Sequence, residues 1–561
     1  MKRIYAGAVI VAVAAGLLAF SLLQGDRDKP AGDSAPYSNI HQADYVGPDT
    51  CVECHPSQHS DWQTHSHGRM NLNPSPETVA GDFSDHRVDY GNGHVLFEEK
   101  DSDYFMSVYE DDTLSRQYRV TRTVGSRFTQ MYIGLQTAGP EPEDHHAFRI
   151  EGKLPFGYWL KNDVWTPVTY FDSVYEAEPE GPSEKTALLA HAQQESKWEL
   201  NCLYCHNTYP FQHRMHFGAA LGFPREDYVF PGGTDVLEKW GALTPDKLVT
   251  LGISCESCHY GAREHVENGL PMKYVPSSAE LTVSDLPPGD PASQASVINS
   301  ICAQCHCAKV TLYPNGAATW NSREALDLKA GACAEQLKCT DCHNPHRSAS
   351  KGGLFSDSQV ISKCISCHDQ FQDSEALSRH SRHSVDMVTC LDCHMPRIVQ
   401  GLDSVIRTHH ISSPTNERML KPAGPNACNL CHLDRPIKWT TNALNDGWNS
   451  QIRPGAGWSS DYGQNFEKPL GEVWLNHSRP LMRLLVSDAV ARSEGNRNML
   501  KELLHQLREP YGINRMFGLF AVEKVIGRKL TREEYNPVAP QSARDEMVTR
   551  LIQQLVRDKS E

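Results

Sequence analysis

Positive charge is scarce in this chain. Over 561 residues, 54 Lys and Arg stand against 69 Asp and Glu, a formal net charge of −15. Nucleic-acid binding needs a basic face, so that class of partner is excluded. Apolar residues are few as well, at 39% of the chain with 8% aromatic. The length allows about two to four structural units. So modest an apolar fraction leaves part of their interior to be filled by something other than side chains. One apolar run, Ile4–Leu23, is long enough to cross a bilayer.

Cysteine is the residue in surplus. The pattern Cys-x-x-Cys-His occurs eight times and takes sixteen of the eighteen cysteines. The pairs are Cys51 and Cys54, Cys202 and Cys205, Cys255 and Cys258, Cys302 and Cys305, Cys339 and Cys342, Cys364 and Cys367, Cys390 and Cys393, and Cys428 and Cys431. Chance predicts about 0.03 matches in a chain of this composition. Zinc sites and disulfide frameworks do not require a histidine after every second cysteine. The pattern is that of covalently attached c-type haem, with two thiols added to the vinyl groups and the histidine as proximal iron ligand. Eight haem c groups are expected, held at iron by His55, His206, His259, His306, His343, His368, His394 and His432.

The motifs are unevenly placed. The first gap is 151 residues, and the other seven motifs fall within Cys202–His432 at spacings of 53, 47, 37, 25, 26 and 38. That irregularity excludes a solenoid of fixed period. Aromatic and β-branched runs between Asp- and Gly-containing turns predict a small antiparallel sheet over 85–175, its aromatics forming a core and cover for haem. After His432, the periodicity of Leu481, Leu484, Leu485 and Ala489, and of Leu500, Leu503, Leu504 and Leu507, predicts helices. The expected fold is mainly α with irregular loops around eight covalent haems, with a β-rich insertion after the first haem and a C-terminal α-helical domain. The expected units are an N-terminal signal or anchor (1–24), a linker (25–44), a first haem segment (45–84), the insertion (85–195), a seven-haem array (196–440) and the helical domain (441–561). That last domain is open to two readings, a docking surface for a protein partner and a structural cap.

Lys2 and Arg3 precede the N-terminal apolar run, which sets a positive-inside orientation. The run reads as an uncleaved anchor, with a cleaved signal peptide as the alternative. Either places the rest outside the cytoplasm, in the periplasm or an equivalent space. No nearby cysteine supports a lipid anchor.

Nineteen of the 27 histidines remain as candidate distal ligands. Those placed near the motifs are His67, His265, His346, His380, His383 and His409, with His213, His216 and His410 beside them. Met70 and Met215 are alternatives that would raise the potential. Cys307 and Cys333 are left over, as a disulfide, free thiols or an unusual ligand. No Cys-x-x-Cys-Lys variant occurs, which removes one cue for a catalytic haem.

Several strings resemble the periplasmic multihaem cytochromes related to the tetrahaem electron carrier of ammonia oxidisers. They are YVGPDTCVECHPSQHSDWQTHSHGRM, CESCHYGAREHVENG, KCTDCHNPH, TCLDCHMP, and HHISSP followed by PNACNLCH. The resemblance covers about 45–440 and implies distal roles for His67, His265, His346 and His409. Tyr260-Gly261-Ala262 stands where that family has a Gly-Pro-Gly string. Some members carry a HEAT- or TPR-like helical tail, which the end of this chain is similar to.

Two functions follow as expectations. One is an extracytoplasmic, membrane-tethered carrier passing electrons through mostly bis-histidine haems between respiratory donor and acceptor proteins. The other is an oxidoreductase with one five-coordinate haem acting on a small nitrogen or sulfur compound, resembling octahaem hydroxylamine oxidoreductase or tetrathionate reductase.

Overall fold

The computed structural model describes residues 37–90, 93–171, 197–215, 228–284, 286, 288–290, 293–348, 353–422, 424–452, 461–493 and 496–557. The N-terminal apolar run, most of the linker, the end of the insertion and His216 lie outside the described residues. No helix among the described residues is long and apolar enough to cross a membrane.

An eight-stranded antiparallel sheet fills 71–167. Its strands are β1 (Asn71–Leu72), β2 (Ser84–Tyr90), β3 (Gly93–Lys100), β4 (Asp103–Glu110), β5 (Thr113–Val124), β6 (Thr129–Ala138), β7 (Gly152–Trp159) and β8 (Val164–Pro167). β2 to β8 form an up-and-down meander, and β1 pairs with the end of β5. Two-residue turns with positive φ at both positions, Asp101-Ser102 and Asp111-Asp112, close the β3–β4 and β4–β5 hairpins. Mirror-image turns of this kind match the right-handed twist of paired strands, and Asp tolerates them. Alternate residues point inward: Val95 and Phe97, Tyr104, Met106 and Val108, Tyr118 and Val120 are all buried. The sheet curls until its ends meet. Phe97 of β3 stacks on Trp165 of β8 at 3.7 Å, and Phe83 meets Phe97, Tyr104, Tyr132 and Trp165 edge-on. The aromatics of this region are the core of the sheet.

Outside the sheet, the haem motifs lie in short helices and turns. Helices of two turns or nearly so include α1 (Pro56–Thr64), α2 (Arg263–Asn268), α3 (Ala295–Ala303), α4 (Glu324–Ala330), α5 (Asp357–Ile365) and α6 (Ser374–Ser381). The helices after His432 are α7 (Ile437–Trp448), α8 (Leu470–Leu475), α9 (Pro480–Arg492), α10 (Leu500–His505), α11 (Gly512–Ile526) and α12 (Gln541–Arg557), and four of these six are longer than any before them among the described residues. α11 stops at Gly527, whose φ of 78° makes a left-handed cap.

A mainly α chain with a β-rich insertion is therefore the wrong description. The sheet is a principal element, and its apolar interior joins the tail helices in one hydrophobic core. Trp159 of β7 packs edge-on against Phe520 of α11 at 5.4 Å. Arg515, fully buried, donates to the carbonyls of Glu509, Pro510 and Pro537 and to the Tyr170 hydroxyl. Gly512 lies so close to the Tyr170 ring that a Cβ there would stand 2.1 Å from a ring carbon.

Candidate functional site

Each Cys-x-x-Cys-His run closes one helical turn. The His55, His206, His259, His306, His343, His368 and His432 amides donate to the carbonyl of the first cysteine of their motif at 2.9–3.1 Å. In the remaining motif, Cys390–His394 is itself a helix. Positions i, i+3 and i+4 share a helix face, so both thiols and the imidazole project to one side. This is the arrangement one porphyrin edge and its iron require, and it recurs at every motif.

Second imidazoles face five of the proximal histidines. Ring centres lie 6.4 Å apart for His55 and His265, 6.1 Å for His259 and His346, and 6.2 Å for His343 and His409. They lie 6.2 Å apart for His394 and His380, and 6.0 Å for His432 and His383. Four of the five pairs have rings within 24° of parallel: His55–His265 at 22°, His259–His346 at 7°, His343–His409 at 24° and His394–His380 at 4°. Two metal–nitrogen bonds of about 2.0 Å, plus about 1.1 Å from each nitrogen to its ring centre, span about 6.2 Å. The gaps thus fit one iron between two imidazoles.

Ring orientation is fixed from the far side. The Nδ1 atoms of His394, His265 and His383 contact the carbonyls of Ser412, Leu270 and Ser381 at 3.0, 2.8 and 2.7 Å. Donation from Nδ1 leaves the Nε2 lone pair free for a metal. Burial pushes the pKa values of His206, His259 and His343 down to about 4, with the facing histidines adding to the effect for the last two. The neutral imidazole so favoured is the form that binds metal. His306 behaves otherwise. Burial lowers its pKa, but the Glu324 carboxylate, 2.9 Å from Nδ1, outweighs this and raises it to about 9.

His67 is placed differently from the other predicted ligands. It packs against His65, with ring centres 4.7 Å apart, and desolvation with the nearby His65 and His306 lowers its pKa to about 3. It therefore lies by the fourth motif, while the first motif faces His265. Among the described residues no other imidazole faces His206 or His368. Met215 is buried in a core cluster with Phe211 and Tyr260. Cys307 and Cys333 form no disulfide with each other. His41 bonds Gln212 and Glu280, and His94 stacks on Tyr109.

The His55–His265 pair depends on a carboxylate that no motif signals. Glu256, within the third motif, is 1% exposed. It accepts from the amides of Val46, Gly47 and Ala262 at 3.0, 2.8 and 2.9 Å. This clamps the first-haem segment onto the loop leading to His265. Tyr260 there adopts φ 52°, and Gly261 packs so tightly on Asp44 that a Cβ would lie 2.5 Å from its Cβ. The loop reaches the ligand position by its own route, without the Gly-Pro-Gly string.

Eight one-turn attachment units and five facing imidazole pairs define a multihaem c-type cytochrome with covalently bound haem c. The cytochrome c552 family model matches residues 234–446. The chain is 26% identical over 203 residues to the multiheme cytochrome MtrA of Shewanella baltica, covering 36% of this chain and 48% of that one. It is 21% identical over 391 residues to the dissimilatory sulfite reductase MccA of Wolinella succinogenes, covering 63% of this chain and 50% of that one. It thus spans about half the length of these relatives. Among solved structures, the outer cell wall cytochrome OcwA aligns at 14% identity with a TM-score of 0.42, over 86% of this chain and all of that one. The octaheme sulfite reductase MccA of Wolinella succinogenes aligns at 14% identity with a TM-score of 0.30, over 95% of this chain and 86% of that one.

Proposed function

We propose that the chain is an extracytoplasmic octahaem cytochrome that conducts electrons between respiratory redox proteins. The observation that carries this reading is the set of five imidazole pairs spaced for bis-histidine ligation. Bound haem iron supplies reversible one-electron chemistry, and two imidazoles favour low-potential outer-sphere transfer over ligand binding. The protein's part is to hold the ligands, exclude water and set the spacing.

The pairing also orders the sites. His265 lies six residues after His259, and His346 three residues after His343. His380 and His383 lie three residues apart and face His394 and His432. A single short segment thus supplies a ligand to each of two sites, tying the first to the third, the third to the fifth and the seventh to the eighth. Such sharing holds neighbouring sites at fixed separation. The acidic surface suits partners with a basic docking face. The N-terminal run is read as the membrane tether, and the mass of the mature protein tests whether residues 1–23 are retained.

A second reading has its own support. His206 and His368 face no described imidazole, and the buried Arg214 guanidinium lies 3.1 Å from the Tyr204 carbonyl within the His206 motif. If the His206 iron keeps a position open, a positive group beside it suits a small oxyanion, and one relative is a sulfite reductase. Low-temperature EPR of the oxidised protein, with and without sulfite, nitrite or hydroxylamine, separates the two. Conduction alone predicts low-spin signals that these ligands do not move. A high-spin ferric signal that shifts on addition overturns it in favour of the enzyme.

A further inference from the structure

We propose that Glu324 is a positioning residue that strengthens His306 as an axial ligand and holds the haem on Cys302 and Cys305 at a lower potential than a carbonyl acceptor would. The proposal rests on the reading that this motif carries haem.

Among the described residues, His306 is the one proximal histidine whose ring nitrogen is paired with a carboxylate, Glu324 Oε2 at 2.9 Å. The acceptors at His394, His265 and His383 are neutral carbonyls. A full negative charge draws the Nδ1 proton further from the ring than a carbonyl dipole does. The ring then gives more electron density to iron, which favours the ferric state. One-electron reduction at this site leaves the Nδ1 proton shared between His306 and Glu324, so no bond is made or broken.

The carboxylate is built into place. Its other oxygen, Oε1, accepts from the Ser322 amide at 2.9 Å. The Ala325 amide donates to the His306 carbonyl at 3.1 Å, tying the start of α4 to the motif itself. The adjacent cation is engaged elsewhere: Arg323 donates to the Ala308 carbonyl at 3.2 Å and lies 3.5 Å from Asp327. His306 is left as the ion-pair partner of Glu324. The Glu324 side chain retains 23% of its surface exposed and the His306 side chain 46%. α4 packs on α3, which carries Cys302 at its end. The attachment helix, the ligand and the carboxylate thus form one unit.

The test is a spectroelectrochemical titration of the full-length haem-loaded protein beside its Glu324→Gln and Glu324→Ala variants. Mass spectrometry of the Cys302–His306 peptide is run on each. One haem component is expected to move to a more positive potential in both variants while the others stay in place. No movement, or an equal movement of every component, overturns the proposal. A Cys302–His306 peptide without haem in the wild-type protein overturns the underlying reading instead, and the proposal with it. Should neither variant load its haems, the wild-type EPR spectrum decides. Imidazolate character in the histidine ligand depresses the largest g value of a low-spin signal, so one such depressed signal is expected and its absence overturns the proposal.

Discussion

At the scale of single residues, two carboxylates matter as much as the histidines they serve. Glu256 satisfies three backbone amides at once, and nothing in the Cys-Glu-Ser-Cys-His string announces that role. Removing it strands buried donors, each worth about 1–3 kcal/mol. Glu256→Ala is expected to lower stability by about 2–5 kcal/mol in thermal or denaturant unfolding. Glu256→Gln keeps one acceptor oxygen and should cost less. Equal stability of Glu256→Ala and the wild type would refute the clamp. The motif histidines were legible because their geometry is local. Their partners were legible only as candidates, since His55 and His265 are 210 residues apart and nothing in the string couples them.

Among the elements, the sheet carries its own pH sensitivity. Burial pushes the Glu141 carboxyl up, but two hydrogen bonds from Arg116, at 2.8 and 2.6 Å, and one from Gln136 outweigh it and hold the pKa below its usual value. A depressed carboxylate stabilises the fold above its ordinary pKa, and that contribution is lost as pH falls through the folded value. Unfolding midpoints followed from about pH 6 down to about pH 3 should fall less steeply for Glu141→Gln than for the wild type. Parallel curves would rule the pair out as a source of acid sensitivity. Strand positions and turns were readable from the aromatic runs and the Asp turns. The curl of the sheet was not, because it arises from contacts such as Phe97 with Trp165 between strands far apart in the meander. α7 shows the same limit. Its Trp448 Nε1 donates to the His380 carbonyl at 2.7 Å, and Arg382 donates to the Gly447 carbonyl at 2.8 Å. The tail thereby steadies the segment that carries His380 and His383, a role its amphipathic pattern does not reveal.

Over the whole molecule, one side-chain core joins the sheet and the tail and takes in Tyr313, Ile398, Val399, Leu430 and Leu433 from the attachment region, whose other segments are mostly short helices gathered around the motifs. Chain made without haem attachment should keep the β signature in far-ultraviolet circular dichroism but be cut by protease first between residues 197 and 435. Protection of that stretch equal to that in the haem-loaded protein would show that side chains alone suffice there. The sequence by itself determined the attachment chemistry, because Cys-x-x-Cys-His needs only one helical turn to bring two thiols and an imidazole to one face. It determined the shortage of apolar residues and the acidic balance too, since both are sums over composition. Only the tertiary structure decided which imidazoles face one another, that His306 alone of the described proximal histidines meets a carboxylate, and that sheet and tail are one core. Those features join residues tens to hundreds of positions apart, and no local pattern encodes contacts that exist only once the chain has closed on itself.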